Sequence, residues 1–269
     1  MSTPWDEMAS VWLDADRQRL WRRHSDRINV GLVDGWLPGP LGDVLKTDLF
    51  DEAVAGGLVP ALEPRATSVT GIDLSRAILE AASARVPGVR AVEADVRALP
   101  FADASFDTIV SNSTLDHFDS AVEIETSLGE LARVLKPGGR LLVTLDNPLN
   151  PVVALGKALR GRVLNRTWAR AGGVTARVGF TPYYVGATLG RRALGETLAH
   201  TGLAVTRTAC VVHAPRVVAV VIGSGVERRG PRTQSAFLRA LAACERLGVL
   251  PSAAVTGHFV AALATKSAD

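Results

Sequence analysis

The chain has 269 residues, of which 47% are hydrophobic and 21% are charged, and its formal net charge is +3. This length and hydrophobic content predict one large folded core and exclude an intrinsically disordered chain. The small net charge, with basic residues scattered along the chain, disfavours a nucleic-acid partner. Cys210 and Cys244 lie far apart without C-x-x-C spacing, which disfavours a disulfide framework or a zinc site and is typical of a reducing, cytoplasmic setting.

Residues 1–40 predict helices that cap the rest of the domain. Large apolar residues recur there at spacings compatible with helices: Trp5, Met8, Trp12, Leu20, Trp21 and Ile28. The run 36–40, which contains two prolines and a glycine, ends this pattern. The early residues are acidic and include no apolar stretch, so we predict neither a signal peptide nor a membrane span.

Short apolar runs alternate with helical segments between residues 41 and 147. The predicted strands are 44–47, 69–73, 89–94, 106–111 and 139–145, and the predicted helices are 51–62, 76–85 and 121–135. The hydroxyl of Ser75 is suited to cap the second of these helices. This alternation predicts an α/β fold with a doubly wound parallel sheet.

After Asn147 the pattern is looser. Residues 148–178 are rich in Arg and Gly and lead to a predicted helix at 185–201. A sixth strand is predicted at 202–212, a helical insertion at 215–251 and a last strand at 258–264.

Two predicted strands end in a carboxylate. Asp73 closes the run Val69–Asp73, and Asp95 follows the next strand in Val92-Glu93-Ala94-Asp95-Val96. In a parallel sheet these ends form the edge where nucleotide-like ligands bind. Asp73 is placed to accept hydrogen bonds from two ribose hydroxyls, and Asp95 to take the amino group of an adenine. The structural alternative for Asp73 is a turn or helix-capping residue.

Together with Phe106–Val110 and the segment 131–142, this order of motifs resembles the class I S-adenosylmethionine-dependent methyltransferases, over roughly residues 41–147. The resemblance implies a Rossmann-like sheet of seven strands, with an antiparallel last strand between the fifth and sixth. It also implies a single domain, divided into a helical cap (1–40), a cofactor-binding half (41–147), a lid (148–201) and C-terminal strands with a helical insertion (202–269). The implied cofactor contacts are Thr47, Asp48, Glu52, Asp73, Leu74, Asp95, Val96, Ser111 and Asn112.

The loop after the first strand departs from the family pattern. Lys46 stands where the family has an acidic residue, and residues 47–52 contain none of the three glycines that let backbone amides approach the cofactor. Gly56 and Gly57 follow too late to replace them, because they fall inside the expected helix.

Two interpretations of this loop follow. In the favoured one, Asp48, helped by Thr47 and Glu52, holds the ammonium group of the cofactor. In the other, the loop has closed over the site, with Phe50 filling the space and Lys46 paired to Asp48 or Asp51, and the cofactor no longer binds. The first is favoured because Asp73 and Asp95 keep the two clearest ligand positions.

His117 follows the fourth strand and is the candidate general base, since an imidazole titrates near neutral pH. Its structural alternative is a helix-start residue bonded to the backbone, and many methyltransferases work chiefly by positioning, without a base. Asn147, Tyr183 and Tyr184 are the candidate substrate contacts, with turn chemistry and ordinary packing as alternatives. The remaining histidines are dispersed, so no metal site is predicted.

These features predict methyl transfer from S-adenosylmethionine to an oxygen, nitrogen or carbon of a small molecule. Apolar lid residues favour a partly hydrophobic acceptor, as in lipid or natural-product tailoring: Leu155, Leu159, Trp168, Phe180 and Tyr184. The N-terminal helices are suited to cover either the active site or a neighbouring subunit of a homodimer. Three alternatives remain: a non-methylating cyclisation or rearrangement, a non-catalytic binding protein with a decayed site, and an NAD-dependent oxidoreductase, which the missing G-x-G-x-x-G disfavours.

Overall fold

The computed structural model describes residue 13, residues 18–160 and residues 186–268. Its centre is a seven-stranded sheet in the order β3-β2-β1-β4-β5-β7-β6. Strands β1 to β5 pair in parallel, whereas β7 runs antiparallel to both β5 and β6. The strands are β1 Gly42–Lys46, β2 Ala66–Asp73, β3 Val89–Glu93, β4 Phe106–Asn112, β5 Leu135–Asp146, β6 Leu203–Val211 and β7 Phe259–Lys266. The predicted fold class is confirmed, including the position of the antiparallel last strand.

Helices cover both faces of the sheet. They are α1 Arg19–Trp36, α2 Phe50–Val54, α3 Val59–Leu62, α4 Arg76–Arg85, α5 Ala121–Val134, α6 Pro151–Arg160, α7 Arg191–His200, α8 Arg216–Val226, α9 Pro231–Cys244 and α10 Ala253–Thr256. Residues alternate between the faces along each strand, so Val44 belongs to the core cluster that includes residues of α1 and α4, while Leu45 belongs to the cluster that includes residues of α5 and α7. No helix in the described parts of the chain is long and apolar enough to cross a membrane.

Local signals place several helix ends correctly. Helix α4 has the predicted bounds, and the Ser75 hydroxyl accepts a hydrogen bond from the Ile78 amide at 3.4 Å. Helix α5 starts with a capping box formed by Ser120 and Glu123. These ends are set by neighbouring residues, and the sequence therefore predicts them well.

Two predicted helices differ from the structure. The helix predicted at 51–62 is divided into α2 and α3, because the chain reverses at Gly57, where φ is +62° and a side chain would collide with Glu52. The helix predicted at 185–201 begins only at Arg191. Residues before it form tertiary contacts instead: the amides of Gly186 and Ala187 donate to the carbonyls of Asp116 and Phe118, at 2.8 and 2.6 Å.

The C-terminal part of the chain holds helix α1 in place. The backbone amide of Leu20 donates to Glu227 at 2.9 Å, and the His24 ring lies 3.0 Å from the carboxylate of Glu245. Glu245 also accepts the amides of His213 and Ala214. Contacts between residues more than 200 positions apart in the sequence therefore fix helix α1.

Candidate active site

A cavity of about 570 Å³ opens at the carboxyl ends of β1 to β4. The parallel strands bring together most of the predicted cofactor residues, as expected for the switch region of a doubly wound sheet. Those that line the cavity are Thr47, Asp48, Asp73, Leu74, Asp95, Val96 and Asn112. Glu52 and Ser111 are not among the lining residues, and both are fully buried.

Asp73 closes β2 at the floor of the cavity. One carboxylate oxygen accepts the Ser75 amide at 2.9 Å, and the other accepts the Leu49 amide at 3.2 Å. Burial, reinforced by the nearby charge of Asp48, raises the pKa of Asp73 to about 6, although the two amides oppose the shift. The carboxylate is thus oriented by backbone donors and remains an acceptor for ligand hydroxyls above that pH.

Asp95 lies in a different electrostatic setting. The guanidinium of Arg97 forms an ion pair with the Asp95 carboxylate, with Nη2 2.6 Å from Oδ2. It also donates a hydrogen bond to Glu123 at 2.6 Å. Burial on its own would raise the pKa of Asp95, but the hydrogen bonds and charge of Arg97 outweigh burial and lower it. Arg97 also stacks over the Phe118 ring at 4.9 Å. It positions Asp95 and was not predicted, although its place two residues after Asp95 is a usable signal.

Lys46 at the end of β1 is fully buried and paired. Its ammonium lies 2.9 Å from Glu52, 3.5 Å from the Asp48 carboxylate and 2.6 Å from the Asp48 carbonyl oxygen. Burial opposes the charged form, yet the carboxylates of Asp48, Glu52 and Asp51 together raise the pKa of Lys46. The internal pairing foreseen in the second interpretation is present, with Glu52 rather than Asp51 as the added partner.

The expectation that Glu52 contacts a cofactor does not match its position. Besides Lys46, this carboxylate binds the amides of Leu58 and Val59, at 2.7 and 3.1 Å, and so it caps helix α3. Gly57 makes this possible, since any side chain there would occupy the space of Glu52. Glu52 therefore stabilises the β1 loop through these contacts and does not line the cavity.

The loop packs closely onto the neighbouring strand. The side chain of Leu49 is fully buried and lies over Gly71 of β2, where an added Cβ would come within 2.5 Å of it. Phe50 lines the cavity, with the guanidinium of Arg22 5.0 Å above its ring. The loop is thus closed by ion pairing and packing, but the cavity beside it persists.

Hydroxyl groups connect the ends of β1 and β4. Thr47 Oγ1 lies 3.0 Å from Ser111 Oγ and 2.7 Å from Thr114 Oγ1, and Thr114 donates to Asp48 at 2.9 Å. Ser111 therefore supports Thr47 from below rather than facing the cavity. Asn112 lines the cavity, and its side-chain oxygen accepts the Thr144 hydroxyl at 3.0 Å.

His117 lies in the cavity wall, 30% exposed, on the short turn after β4. Asn147, by contrast, is buried in a structural junction, where its amide donates to the carbonyls of Ala254 and Gly257 at 2.8 and 2.9 Å. That correction reflects the return of the chain beside the end of β5, which the sequence did not indicate. Tyr183 and Tyr184 lie outside the described residues. Among the described residues, no three His, Cys, Asp or Glu side chains are grouped so that they could hold a metal ion.

Known proteins resemble this arrangement. Residues 53–143 match the family model for a methyltransferase domain, and the match begins directly after the altered loop. A demethylmenaquinone methyltransferase of Thermus thermophilus is 40% identical over 111 residues, covering 39% of this chain and 49% of that protein. A phthiotriol/phenolphthiotriol dimycocerosates methyltransferase 1 of Mycobacterium ulcerans is 35% identical over 128 residues, covering 46% and 44%. The chain thus spans about half the length of these curated relatives.

The sheet order and the domain match agree. Residues 53–143 carry a methyltransferase domain. A solved structure with the same fold is the N-methyltransferase NodS of Bradyrhizobium japonicum, which contains S-adenosylhomocysteine. It is 14% identical, with a TM-score of 0.54, and the alignment covers 97% of each chain. The predictions of family and fold are therefore confirmed.

Helix α1 forms a second wall of the cavity in this methyltransferase domain. Residues at helical spacing along one side of it face the cavity: Trp21, Arg22, Ser25, Asp26 and Asn29, with Gln18 just before the helix. Sequence reasoning considered only the apolar residues of this segment and missed the polar ones. The recurrence of polar residues at positions 18, 22, 25, 26 and 29 was the available signal. Whether this side of the helix faces the cavity or the solvent depends on where α1 packs.

Asp26 is the most perturbed group in this wall. Burial and the charges of Asp51 and Glu52 raise its pKa to about 8, although Arg22 and Lys46 pull in the opposite direction. Arg22 is 11% exposed and contacts the Asp51 carboxylate at 3.1 Å. The wall therefore presents an arginine and an aspartate one helical turn apart.

Proposed function

We propose that this protein transfers the methyl group of S-adenosylmethionine to an oxygen, nitrogen or carbon atom of a small, partly hydrophobic molecule. The observation that carries the proposal is the pair Asp73 and Asp95, which end neighbouring strands and face one cavity together with Leu74 and Val96. Carboxylates at these positions suit ribose hydroxyls and an adenine amino group, and the apolar side chains suit the faces of the base.

The charge of the cavity wall fits a cationic cofactor. Asp48, Asp51 and Asp73 line it, while the lining arginines Arg22 and Arg97 are bound to Asp51 and to Asp95 and Glu123. S-adenosylmethionine supplies an electrophilic methyl group on a positively charged sulfur. Carboxylates in a partly buried wall attract such a cation more strongly than they would in water.

Aromatic residues in the same wall support an apolar acceptor. Trp21, Phe50, Phe118 and Phe259 line the cavity. The names of the two relatives above refer to a quinone and to a lipid, which agrees with an acceptor of that chemical class. His117, beside Phe118, is placed to take a proton from an acceptor hydroxyl or amine, whereas a carbon nucleophile would need it only after methyl transfer.

The altered loop favours a second candidate. Because Lys46 and Glu52 replace the usual acidic residue and glycines, the protein could bind the cofactor without methylating, for example to promote a cyclisation or rearrangement. The same loop would also suit a non-catalytic protein that has lost cofactor binding. These possibilities differ in ligand binding and in the mass of the product.

The test is calorimetric titration with S-adenosylmethionine and S-adenosylhomocysteine, with NAD and NADP as controls, followed by mass spectrometry of reactions with quinols, phenols and lipid alcohols. We expect binding of the two sulfur nucleotides only, and a product heavier by one methyl group. A product of unchanged mass would favour the cyclisation candidate. Failure of a folded sample to bind any nucleotide would overturn the proposal.

A further inference from the structure

We infer that the polar face of helix α1 recognises the amino-acid end of the cofactor, with Arg22 facing its carboxylate and Asp26 its ammonium group. The inference rests on the proposed function and goes beyond it, because it transfers this recognition from the β1 loop to the N-terminal helix. It names the residues that compensate for the absent glycines.

The groups of the β1 loop already bind other parts of the protein. Lys46 takes the position of the family's acidic residue and is bound to Glu52 and Asp48. Leu49 is packed over Gly71, and its amide is used by Asp73. The loop thus offers the methionine part of a cofactor fewer groups than a glycine-rich loop would.

The opposite wall of the cavity contains a polar group without a hydrogen-bond partner among the described residues. Gln18 lines the cavity and is only 7% exposed, yet its side-chain Nε2 has no hydrogen-bond partner among the described residues. Leaving a buried donor unpaired costs about 1–3 kcal/mol, and an acceptor on a ligand in the cavity would remove this cost. The carbonyl of Gln18 accepts the Arg22 amide, which places the two residues on successive turns.

The side chains of Arg22 and Asp26 complement the two charged groups of an amino acid. An amino acid carries a carboxylate and an ammonium group a few ångströms apart, and Arg22 and Asp26 present the opposite charges one helical turn apart on the same wall. The groups that face Asp26 are Asp51 and Glu52, which favour an arriving cation, and Arg22 and Lys46, which oppose it. Glu52 is buried behind the wall and bound to Lys46, and Asp51 also contacts Arg22, so Asp26 and Asp51 are the carboxylates that line the position proposed for the ammonium group.

The experiment compares two ligands by calorimetry at pH 7: S-adenosylhomocysteine, and 5′-methylthioadenosine, which lacks the amino-acid end. Asp26→Asn and Arg22→Gln are each expected to weaken S-adenosylhomocysteine binding about tenfold to hundredfold, the range for a lost charge-assisted hydrogen bond, and to leave 5′-methylthioadenosine binding unchanged. Arg23→Gln is the matched control, because Arg23 is an exposed neighbour on the same helix. Asp73→Asn should weaken the binding of both ligands, because both contain the ribose.

A second readout is proton release. Asp26, with a pKa of about 8, is mostly protonated at pH 7, and an ammonium group beside it would expel that proton. Titrations in buffers of different ionisation enthalpy should show this release in the parent protein and its loss in Asp26→Asn. This variant is expected to fold, since it resembles the neutral form already favoured at pH 7, and circular dichroism checks it.

The outcomes separate the two proposals. If the parent binds neither ligand, the proposed function fails and this inference fails with it. If the parent binds S-adenosylhomocysteine but Asp26→Asn binds it equally well, or loses both ligands alike, then α1 does not read the amino-acid end and only this inference is overturned.

Discussion

Two aspartates near the ends of neighbouring strands have pKa values that are shifted in opposite directions. Asp73 is buried among backbone amides and another carboxylate, and its pKa rises to about 6. Asp95 is bound by Arg97, and its pKa is lowered. Both residues are aspartates at the carboxyl edge of the sheet, Asp73 as the last residue of β2 and Asp95 two residues after β3. The difference in pKa comes from the neighbours that the fold supplies.

The raised pKa of Asp73 predicts that ligand binding depends on pH. In the proposed function, ribose hydroxyls donate to ionised Asp73, so binding would favour the deprotonated form, and affinity should fall as pH falls through 6. For a free-protein pKa of about 6, we expect about a tenfold loss of 5′-methylthioadenosine affinity between pH 7 and pH 5. This ligand lacks the amino-acid end, so the titration of Asp26 does not contribute to the loss. Calorimetry across this range measures the loss. Asp73→Asn should bind weakly throughout without this pH step, and equal parent affinities at both pH values would contradict the assignment.

The β1 loop shows how one element can replace its usual backbone geometry with side-chain interactions. Glu52 caps α3 and neutralises Lys46, while Gly57 leaves room for the Glu52 side chain. Because the Lys46 ammonium and the Glu52 carboxylate are both buried, each charge is stabilised by the other. Removing one partner leaves an uncompensated buried charge, whereas removing both does not.

We therefore expect Lys46→Met to lower the free energy of unfolding by about 3–5 kcal/mol, and the double variant Lys46→Met/Glu52→Gln to recover most of that loss. The glutamine oxygen can still accept the Leu58 and Val59 amides. Urea unfolding measures both effects. The exposed pair Arg76–Glu80 is the control, since Arg76→Gln should cost no more than about 0.5 kcal/mol. Equal losses in the single and double variants would exclude coupling between the two charges.

On the scale of the whole molecule, the cavity has two walls of different origin. One consists of the strand ends between residues 47 and 112, and the other is α1, held by Glu227 and Glu245 from the C-terminal insertion. The insertion therefore acts on the site indirectly, by fixing the helix that closes it.

Glu245→Ala should loosen that wall. It removes the carboxylate that binds the His24 ring and the amides of His213 and Ala214, with an expected loss of about 1–3 kcal/mol in the free energy of unfolding. Hydrogen exchange should increase in residues 19–36 but not in 121–134, and S-adenosylhomocysteine should bind more weakly. Glu245→Gln, which keeps an acceptor, should have a smaller effect. Unchanged exchange in α1 would mean that the helix is held by other contacts.

Much of the fold and half of the site could be predicted from local signals. Strand positions, the Ser75 cap and the ligand edge at Asp73 and Asp95 follow from periodicity and chain order, which depend on near neighbours in the sequence. The misplacement of Glu52 and Asn147 has a common cause. Each side chain was judged by its nearness to a strand end, but its direction depends on groups brought in from elsewhere in the fold.

The sequence by itself determined the α/β class, the family and the strand edge that faces the ligand, because hydrophobic periodicity and the order of motifs are properties of the chain. Only the tertiary structure decided that Lys46 is neutralised by Glu52 and that Arg97 holds Asp95. It also decided that the polar side of α1, with Arg22 and Asp26, faces the cavity. The direction of a helix face and the charge state of a buried group depend on which distant residues pack against them.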